Sequence, residues 1–211
     1  MMTLSEMKLR FEIVKDNSRQ KNDDFYNVLE SKSIHFKCYD RPILSLFPYE
    51  IQFYGGKPGK EIKEQCDKSS GYYKNYFDKE GRIIIAEQLN SKGVVINRQF
   101  IFYSHDLIER YHFTRIGTFK LVSYNVLPLK RMLPEKLFNI GLKGQAIWEF
   151  IYEGDKLKKV EVLRVTEDGH ENKVKDVHFL YNNDELVEVV YDYLNGEKQS
   201  IYKKLTAKSN N

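Results

Sequence analysis

Apolar and polar residues alternate along most of the chain in short runs, which are separated by turns. The pattern is clearest in residues 76–111, where runs rich in Ile, Val, Phe and Tyr are interrupted at 77–83, 90–93 and 104–106. Ile, Val, Phe and Tyr suit a pleated, half-buried surface, and Gly, Asn and Asp supply the positive φ that tight turns need. Residues 76–111 are therefore predicted to form strands joined by turns.

The same unit recurs along the chain. An aromatic strand end, a turn and a following Ile or Leu occur at 53–62, 76–83, 102–109, 150–157 and 179–188. Turn centres follow one another at roughly 11 to 14 residues, a spacing typical of antiparallel strands joined by tight turns. Helices need longer periodic windows, and parallel strands need crossover connections. The prediction is a mainly β protein, an antiparallel meander of about a dozen strands that forms an open curved sheet or a barrel, with one or two short helices.

The N-terminal segment is predicted to contain a strand, a helix and a second strand. Residues 8–14 alternate apolar and charged side chains, which predicts a strand, and residues 15–22 form a polar connection. Asp23 is placed to cap the start of a short helix, and the second strand follows at 34–39. The apolar stripe of that helix consists of Phe25, Val28 and Leu29. Two prolines within 41–48 exclude a central strand and predict a packed loop or an edge segment.

A further short helix is predicted at residues 134–140. Pro134 would be its first residue, and Gly141 would follow its end. The expected organisation is an N-terminal segment that packs on the sheet (1–48), a repeat meander with this helical insertion (49–205) and a frayed tail (206–211).

Some strands carry apolar residues on both faces. Trp148 and Phe150 share one face of their strand, while Ile147 and Ile151 lie on the other. Part of the sheet is therefore predicted to be covered twice, by the two helices, by closure of the sheet into a barrel or by a partner.

Composition and charge narrow the class of protein. Of the 211 residues, 41% are hydrophobic and 30% are charged, a balance typical of a globular domain. The 15 Tyr and 13 Phe suit cross-strand pairs in a large sheet, and the Tyr surplus alternatively suits a binding surface. The net charge of +4 arises from 34 basic and 30 acidic residues, which indicates a surface of mixed charge. Proteins that bind nucleic acid concentrate Lys and Arg on one face, so binding to nucleic acid is not expected.

Several features predict a cytoplasmic protein. Cys38 and Cys66 are far apart and lie outside any CxxC motif, so both are expected to be reduced. Residues 1–10 lack the continuous apolar region of a signal peptide. No apolar run approaches the ~18 residues of a transmembrane helix, so no membrane association is expected.

The turn at residues 77–83 carries a recognisable motif. Its sequence, Phe-Asp-Lys-Glu-Gly-Arg-Ile, is similar to the YD-repeat (RHS-repeat) motif, in which an aromatic residue and Asp precede Gly-Arg-Leu or Gly-Arg-Ile. The resemblance extends over 49–205, with degraded copies at 152–157 and 181–186, whereas the unit at Tyr103 lacks both the Asp and the Gly-Arg.

This resemblance implies both an architecture and a functional setting. YD-repeat and MORN-like proteins form long β-meanders, often in bacterial toxin-delivery systems. Small intracellular proteins of this kind resemble immunity proteins that bind a cognate toxin domain. Because the net charge is +4, the chain would suit a toxin domain with a neutral or acidic surface.

The candidate chemical motifs do not assemble into a site. His35 and Cys38 would point to opposite faces of a strand, so no metal is expected. The glycine-rich segment 55–60 lacks the GxxxxGK[ST] frame of a phosphate-binding loop. His112 is expected on a solvated strand face. The acidic cluster of Glu185, Glu188 and Asp192 is expected to be solvated as well.

The sequence therefore predicts a non-enzymatic protein with no catalytic residues and no cofactor. The leading hypothesis is an immunity-type protein that binds and neutralises a toxin domain, and residues 55–59 and 120–144 are the loops expected to contact it. One alternative is a β-barrel that binds a small apolar ligand in a pocket lined by Trp148 and Phe150. The other is a structural repeat protein that associates with itself through its sheet edges.

Overall fold

The fold is a long antiparallel sheet with three helices. The structure is a computed structural model and describes residues 2–62, 71–130 and 133–204. The helices are α1 (Leu4–Asp16), α2 (Ser18–Glu30) and α3 (Glu50–Phe53). The strands are β1 (His35–Tyr39), β2 (Tyr72–Phe77), β3 (Ile83–Leu89), β4 (Val95–Tyr103), β5 (Leu107–Ile116), β6 (Thr118–Lys130), β7 (Leu133–Pro134), β8 (Lys136–Gly141), β9 (Gly144–Glu153), β10 (Lys156–Val165), β11 (Glu171–Asn182), β12 (Glu185–Tyr193) and β13 (Lys198–Lys203).

The strands follow one another in space in the order of the chain. Each pairs antiparallel with the next from β1 to β13, except that the short β7 pairs with β6 beside the main path. Among the described residues no ladder joins β1 to β13, so the sheet is open. The predicted meander of about a dozen strands is confirmed, and of the two predicted forms it is the open sheet.

The tight turns have the chemistry that the sequence indicates. Gly81 takes a φ of 75°, and the Asp78 carboxylate accepts the backbone N–H groups of Glu80 and Arg82 at 3.0 and 2.9 Å. In the turn between β11 and β12, Asn183 and Asp184 take positive φ values of 46° and 69°. The residues that resemble the repeat motif therefore hold a turn together.

The predicted strand at 8–14 is wrong, because this segment lies in α1. Met7, Phe11 and Val14 are buried on one side of the helix, whereas Leu9 is exposed. The spacing of the buried residues is helical, but the apolar residues of 8–14 also alternate as they would in a strand. The sequence also carries a helix start signal, a capping box in which the hydroxyl of Thr3 accepts the backbone N–H of Glu6.

The second helix exists but is longer than predicted. It starts at Ser18 instead of after Asp23, so residues 15–22 are not a connection. The Ser18 hydroxyl is buried and accepts the backbone N–H of Leu121 at 3.1 Å, which fixes the helix against the sheet. Phe25 packs on the sheet as predicted, whereas Val28 is exposed.

The helix predicted at 134–140 is also wrong, because β7 and β8 occupy this region. Leu137 and Ile140 are both buried, but on opposite faces of the sheet. A strand that is covered on both faces can place buried residues three apart, which mimics helical periodicity. Pro134 is tolerated because it lies in a two-residue strand beside the main path.

Two separate layers cover the sheet, as the mixed strand faces predicted. Helices α1 and α2 pack on one face, here called the helix face. Residues 41–57, here called the strap, cross the other face, the strap face, and bury Phe47 and Phe53 there. The second covering layer is therefore the strap, which contains the segment predicted as a packed loop. The mid-chain helix predicted at 134–140 does not supply this layer.

Cys38 is buried and disulfide-bonded, which corrects the expectation of a reduced thiol. Cys66 and the tail 206–211 lie outside the described residues. The cysteines therefore do not indicate a reducing compartment.

None of the helices in the described residues has the length and apolar character needed to cross a membrane.

Candidate functional site

Aromatic residues anchor the strap on the sheet. The ring of Phe47 lies 4.9 Å from that of Phe150, and Phe53 stacks on Trp148 at 4.9 Å between centroids. The Tyr191 hydroxyl donates to the carbonyl oxygen of Phe53 at 2.8 Å. The strap therefore covers Trp148 and Phe150. The ligand-binding alternative had predicted that these two residues line the pocket of a barrel, and they do not.

A buried ion pair fixes the strap at a second point. The Glu50 carboxylate lies 2.9 Å from the guanidinium of Arg110 on β5 and accepts the backbone N–H of Leu46 at 2.6 Å. Arg110 also donates from Nε to the side-chain oxygen of Asn125 at 3.0 Å. These additional hydrogen bonds satisfy the buried charges, as a buried ion pair requires.

A cavity of about 490 Å³ lies beside this ion pair, between the strap and the sheet. Its size is within the range of small-molecule sites, which is about 300–1,000 Å³. Successive side chains of a strand point to opposite faces of the sheet, so every second side chain lies on the same face. Alternate residues of β2, β4, β5, β6 and β8 therefore face the cavity. The polar residues that these strands contribute include Asn75, Asn97, Gln99, His112, Asn125 and Asn139.

Four buried nitrogen atoms in the lining have no hydrogen-bond partner among the described residues. They are Nε of Arg41, Nδ2 of Asn75, Nε2 of His112 and Nδ2 of Asn125. The orientation of the Asn125 amide is fixed, because its oxygen accepts from Arg110 and its nitrogen must then face elsewhere. Arg41, Asn75 and Asn125 thus each present a buried N–H donor to the cavity, where water or a ligand can satisfy it.

Asn97 provides a contrast within the same cavity. Its side-chain nitrogen donates to Gln88 at 2.6 Å, and its oxygen accepts from Thr114 at 2.8 Å. The unpartnered donors are therefore not a general property of the asparagines that line the cavity.

His112 is not solvated, contrary to the sequence prediction. Burial under the strap, together with the neighbouring positive charge of Arg110, lowers the pKa of His112 to about 4. The imidazole is thus neutral at pH 7 and adds no charge to the cavity.

The lowered pKa of His112 predicts a pH dependence of stability. Between the unfolded pKa near 6.5 and the folded pKa of about 4, the unfolded state binds more protons, so stability falls as the pH falls through this window. Compared with the His112→Gln variant, the wild-type protein should lose about 3 kcal/mol more of its free energy of unfolding between pH 7 and pH 4. Urea denaturation at a series of pH values measures this difference.

His170 offers the control for that measurement. Its side chain is 80% exposed in a turn, so His170→Gln introduces the same chemical change at a surface position and should alter the free energy of unfolding at pH 7 by less than about 0.5 kcal/mol. A His112→Gln profile parallel to that of the wild-type protein would show that His112 titrates alike in the folded and unfolded states.

An apolar groove adjoins the cavity on the strap face. The two depressions share Ser123 and Asn139 in their linings. The groove runs past Ala146 and Val162, and its Leu142 is 60% exposed. Lys143 and Arg164 supply its charged side chains, and no acidic residue of the described chain lines it.

The acidic cluster of the sequence analysis lies on β12, away from the cavity lining. Asp192 lies 3.2 Å from Lys198 and 3.6 Å from His178, and Glu185 pairs with Lys204. These carboxylates are therefore engaged in surface ion pairs.

The remaining sequence candidates are separated. His35 stacks on Phe77, and the described residues contain no group of three or more His, Cys, Asp or Glu that could hold a metal ion. The glycine-rich segment belongs in part to the strap, and its Lys57 lines the cavity.

Sequence reasoning missed the asparagines of the cavity. Asn75, Asn97, Asn125 and Asn139 each lie within a strand. Asparagine is depleted in strands, so four such residues within apolar runs were a signal of a polar strand face.

No protein-family model matches the sequence, and no curated protein matches it.

Proposed function

We propose that the protein is a non-enzymatic binding protein whose partner is a protein domain with a neutral or acidic surface. In this proposal it acts as an immunity-type protein that neutralises a cognate toxin domain. The observation that supports the proposal best is the exposed apolar groove with basic side chains on the strap face.

The strap face has the composition of a recognition surface. The groove exposes apolar side chains such as Leu142 and Val174, and the adjoining cavity offers buried hydrogen-bond donors. Protein interfaces combine apolar contacts with a limited number of specific hydrogen bonds. An exposed apolar patch beside polar groups is typical of a binding site.

The charges of this face favour a partner of opposite sign. Glu50 is the acidic side chain of the strap face at the cavity, and it pairs with Arg110 at 2.9 Å, whereas Glu87 pairs with Arg98 at 2.6 Å on the helix face, where Arg98 also contacts Asn22 of α2. Lys57, Lys143 and Arg164 contribute further positive charge to the cavity and the groove. This local excess has the same sign as the net charge of +4, and complementary potentials speed association.

The assignment to the immunity class rests on the repeat-like meander. The Asp78 turn, which resembles the YD-repeat motif, is one of a series of similar turns in a single open sheet. Because a fold alone does not determine a function, the proposal also needs a site, and the strap face supplies one.

The interface can be tested with a partner encoded beside the gene and purified as a toxin domain. The Lys143→Glu/Arg164→Glu variant should associate about tenfold more slowly than the wild-type protein at low salt, because the steering charge is reversed. Stopped-flow association rates and calorimetric affinities measure the effect.

Arg19→Glu is the matched control for this experiment. Arg19 is exposed on α2, which covers the helix face, so reversal of its charge should leave association with the partner unchanged. Normal binding by the double variant together with impaired binding by Arg19→Glu would place the interface on the helix face instead and refute the proposed site.

A further inference from the structure

We infer that the sheet side of the cavity, where it meets the groove, is a binding site for the uncharged main chain of an extended peptide segment. Four polar side chains form this site, here called the floor cluster: His112, Ser123, Asn125 and Asn139. Such a site deepens the proposed function, because the protein partner would supply the segment, and it rests on that function only for the origin of the segment.

The floor cluster is compact because its residues are register partners on three adjacent strands. His112 of β5 lies opposite Ser123 of β6, and Asn125 of β6 lies opposite Asn139 of β8. Directly opposed residues on one sheet face have Cβ atoms about 4.5–5.5 Å apart, and alternate residues of one strand are about 7 Å apart. All four side chains line the cavity, so one short segment can contact all of them.

Most hydrogen-bonding groups of the floor cluster are unused among the described residues. The side chains of Ser123 and Asn139 make no hydrogen bond there, and Nε2 of His112 and Nδ2 of Asn125 are buried without a partner. Asn125 is 1% exposed, and because its oxygen accepts from Arg110, its free N–H groups face the cavity. The cluster therefore offers both donors and acceptors to a ligand.

The electrostatics of the floor cluster favour an uncharged ligand group. None of its four side chains carries a charge at pH 7, since burial and the neighbouring arginine lower the pKa of its imidazole to about 4. Of the cations in the cavity lining, Arg110 is paired with Glu50 at 2.9 Å, and Lys57 is exposed on the strap. Arg41 lies 3.3 Å from Asp40. An ionic group over the cluster would be desolvated without a free counter-charge beside it, which is unfavourable.

A peptide main chain matches the unused groups. Each peptide group carries one N–H donor and one C=O acceptor in a plane, and so does the carboxamide of Asn139, so the two can pair through two hydrogen bonds. The free N–H groups of Asn125 can then donate to another carbonyl oxygen of the same segment. Recognition of this kind depends on the main chain and needs no charged side chain.

The floor cluster lies where the cavity meets the apolar groove. Ser123 and Asn139 line both depressions. Gly141 lies opposite Ser123, and a Cβ atom at this position would be 3.8 Å from Cβ of Ser123 and 3.9 Å from Oδ1 of Asn139. A glycine at 141 therefore keeps the junction open. A segment that crosses the junction would place apolar side chains against Ala146 and Val162 while its main chain passes over the cluster.

A matched pair of peptide mimics tests the requirement for a peptide group. N-acetyl-leucine N-methylamide contains two peptide groups, and N-acetyl-leucine methyl ester has an ester oxygen in place of one N–H. In ¹H–¹⁵N spectra of the full chain, the N-methylamide should shift the side-chain signals of Asn125 and Asn139 and bind at least about fivefold more tightly than the ester. Equal affinity of the two probes would overturn the inference. Unshifted signals at the highest soluble concentration of the N-methylamide would show that water alone satisfies the cluster, which would overturn it as well.

A third probe tests the preference for an uncharged group. N-acetyl-leucine has the same side chain but carries a carboxylate at pH 7. It should bind at least about fivefold more weakly than the N-methylamide, because its charge would be desolvated without compensation. Tighter binding of the carboxylate would show that recognition is ionic and would contradict the proposed site.

Substitution of Asn139 by leucine separates a binding role from a structural one. The side chain of Asn139 makes no hydrogen bond among the described residues, so the melting temperature of Asn139→Leu should not fall by more than about 2 °C. Its affinity for the N-methylamide should fall about tenfold. Asn27→Leu is the matched control, because Asn27 is exposed on α2 at the helix face, and its affinity should change less than about twofold. Wild-type affinity in Asn139→Leu would refute the site.

A second variant guards against failure of Asn139→Leu to fold. Asn125→Asp keeps the oxygen that accepts from Arg110 but replaces the N–H donor with an acceptor, so it should also bind the N-methylamide about tenfold more weakly. Unchanged affinity in this variant would show that Asn125 does not contact the ligand and would overturn the inference.

The complex with the partner domain separates failure of this site from failure of the proposed function. A partner segment on the floor cluster should exclude the N-methylamide and shift the side-chain signals of Asn125 and Asn139. If the probe binds the complex as tightly as the free protein, the partner does not occupy the cluster and the inference fails, whereas slower association of the Lys143→Glu/Arg164→Glu variant would still support the proposed function.

Discussion

The free energy of unfolding of the Glu50→Leu variant is expected to be about 3–5 kcal/mol lower than that of the wild-type protein. Glu50 is 3% exposed, and the side chain of its partner Arg110 is 12% exposed. The substitution would leave the guanidinium buried without its carboxylate, and the backbone N–H of Leu46 would lose its acceptor. Urea denaturation followed by circular dichroism measures the loss.

The double variant Glu50→Leu/Arg110→Met should recover most of this loss. Replacing both members of a buried ion pair with apolar residues is often nearly neutral, whereas removing one member is not. The exposed pair of Lys37 and Glu61, at 3.0 Å, provides the contrast, and Glu61→Leu should change stability by less than about 1 kcal/mol. Equal losses of unfolding free energy in Glu50→Leu and Glu61→Leu would show that burial does not determine how much the Glu50 pair contributes to stability.

The Phe53→Ala variant is expected to lose about 3–5 kcal/mol of stability and to release the strap from the sheet. Phe53 is buried, stacks on Trp148 and packs edge-on against Phe47 at 5.7 Å. Trp148 is the only tryptophan of the chain, so its fluorescence reports directly on the strap. The emission maximum should move to longer wavelength as water reaches the indole ring, even under conditions in which the sheet remains folded.

Phe36→Ala is the matched control for this substitution. Phe36 lies on the edge strand β1 and is 54% exposed, so its truncation should change stability by less than about 1 kcal/mol and leave the emission of Trp148 unchanged. An unshifted emission maximum in Phe53→Ala would indicate that Phe47 alone holds the strap in place.

The meander could be predicted because its determinants are local. The turn of Asp78, Gly81 and Arg82 is held by contacts within five residues, and positive φ at Gly81 is a property of that residue alone. Antiparallel pairing of neighbours then follows from the short connections. Sequence patterns report such features well, since the interacting residues are adjacent in the chain.

The helix α1 and the strand β8 were predicted wrongly because periodicity depends on what covers a segment. Residues 8–14 alternate like a strand, but the residues buried by the sheet are Met7, Phe11 and Val14. In β8, Leu137 and Ile140 are buried by different layers. The covering layer is a tertiary feature and is not encoded in the spacing itself.

The cavity could not be predicted because its residues are distant in sequence. Asn75 and Asn125 line the same cavity only when four strand pairs align, and Glu50 joins the lining only when the strap crosses the sheet. These residues share one face of the sheet only because the strands pair in a particular register. The sequence of one strand does not reveal its register against the next strand.

The chain-ordered sheet and the strap that crosses it have different consequences for folding. Most strand contacts are between sequence neighbours, so this part of the molecule has a low contact order and can assemble by propagation from any hairpin. The N-terminal helices and the strap are exceptions. The bond from Leu121 to Ser18 of α2 spans 103 residues, and the bond from Tyr191 to the carbonyl of Phe53 in the strap spans 138. Closure of so long a loop is entropically unfavourable until the distant strands are in place. The strap should therefore dock late in folding, and the cavity between the strap and the sheet should be among the last parts of the molecule to form.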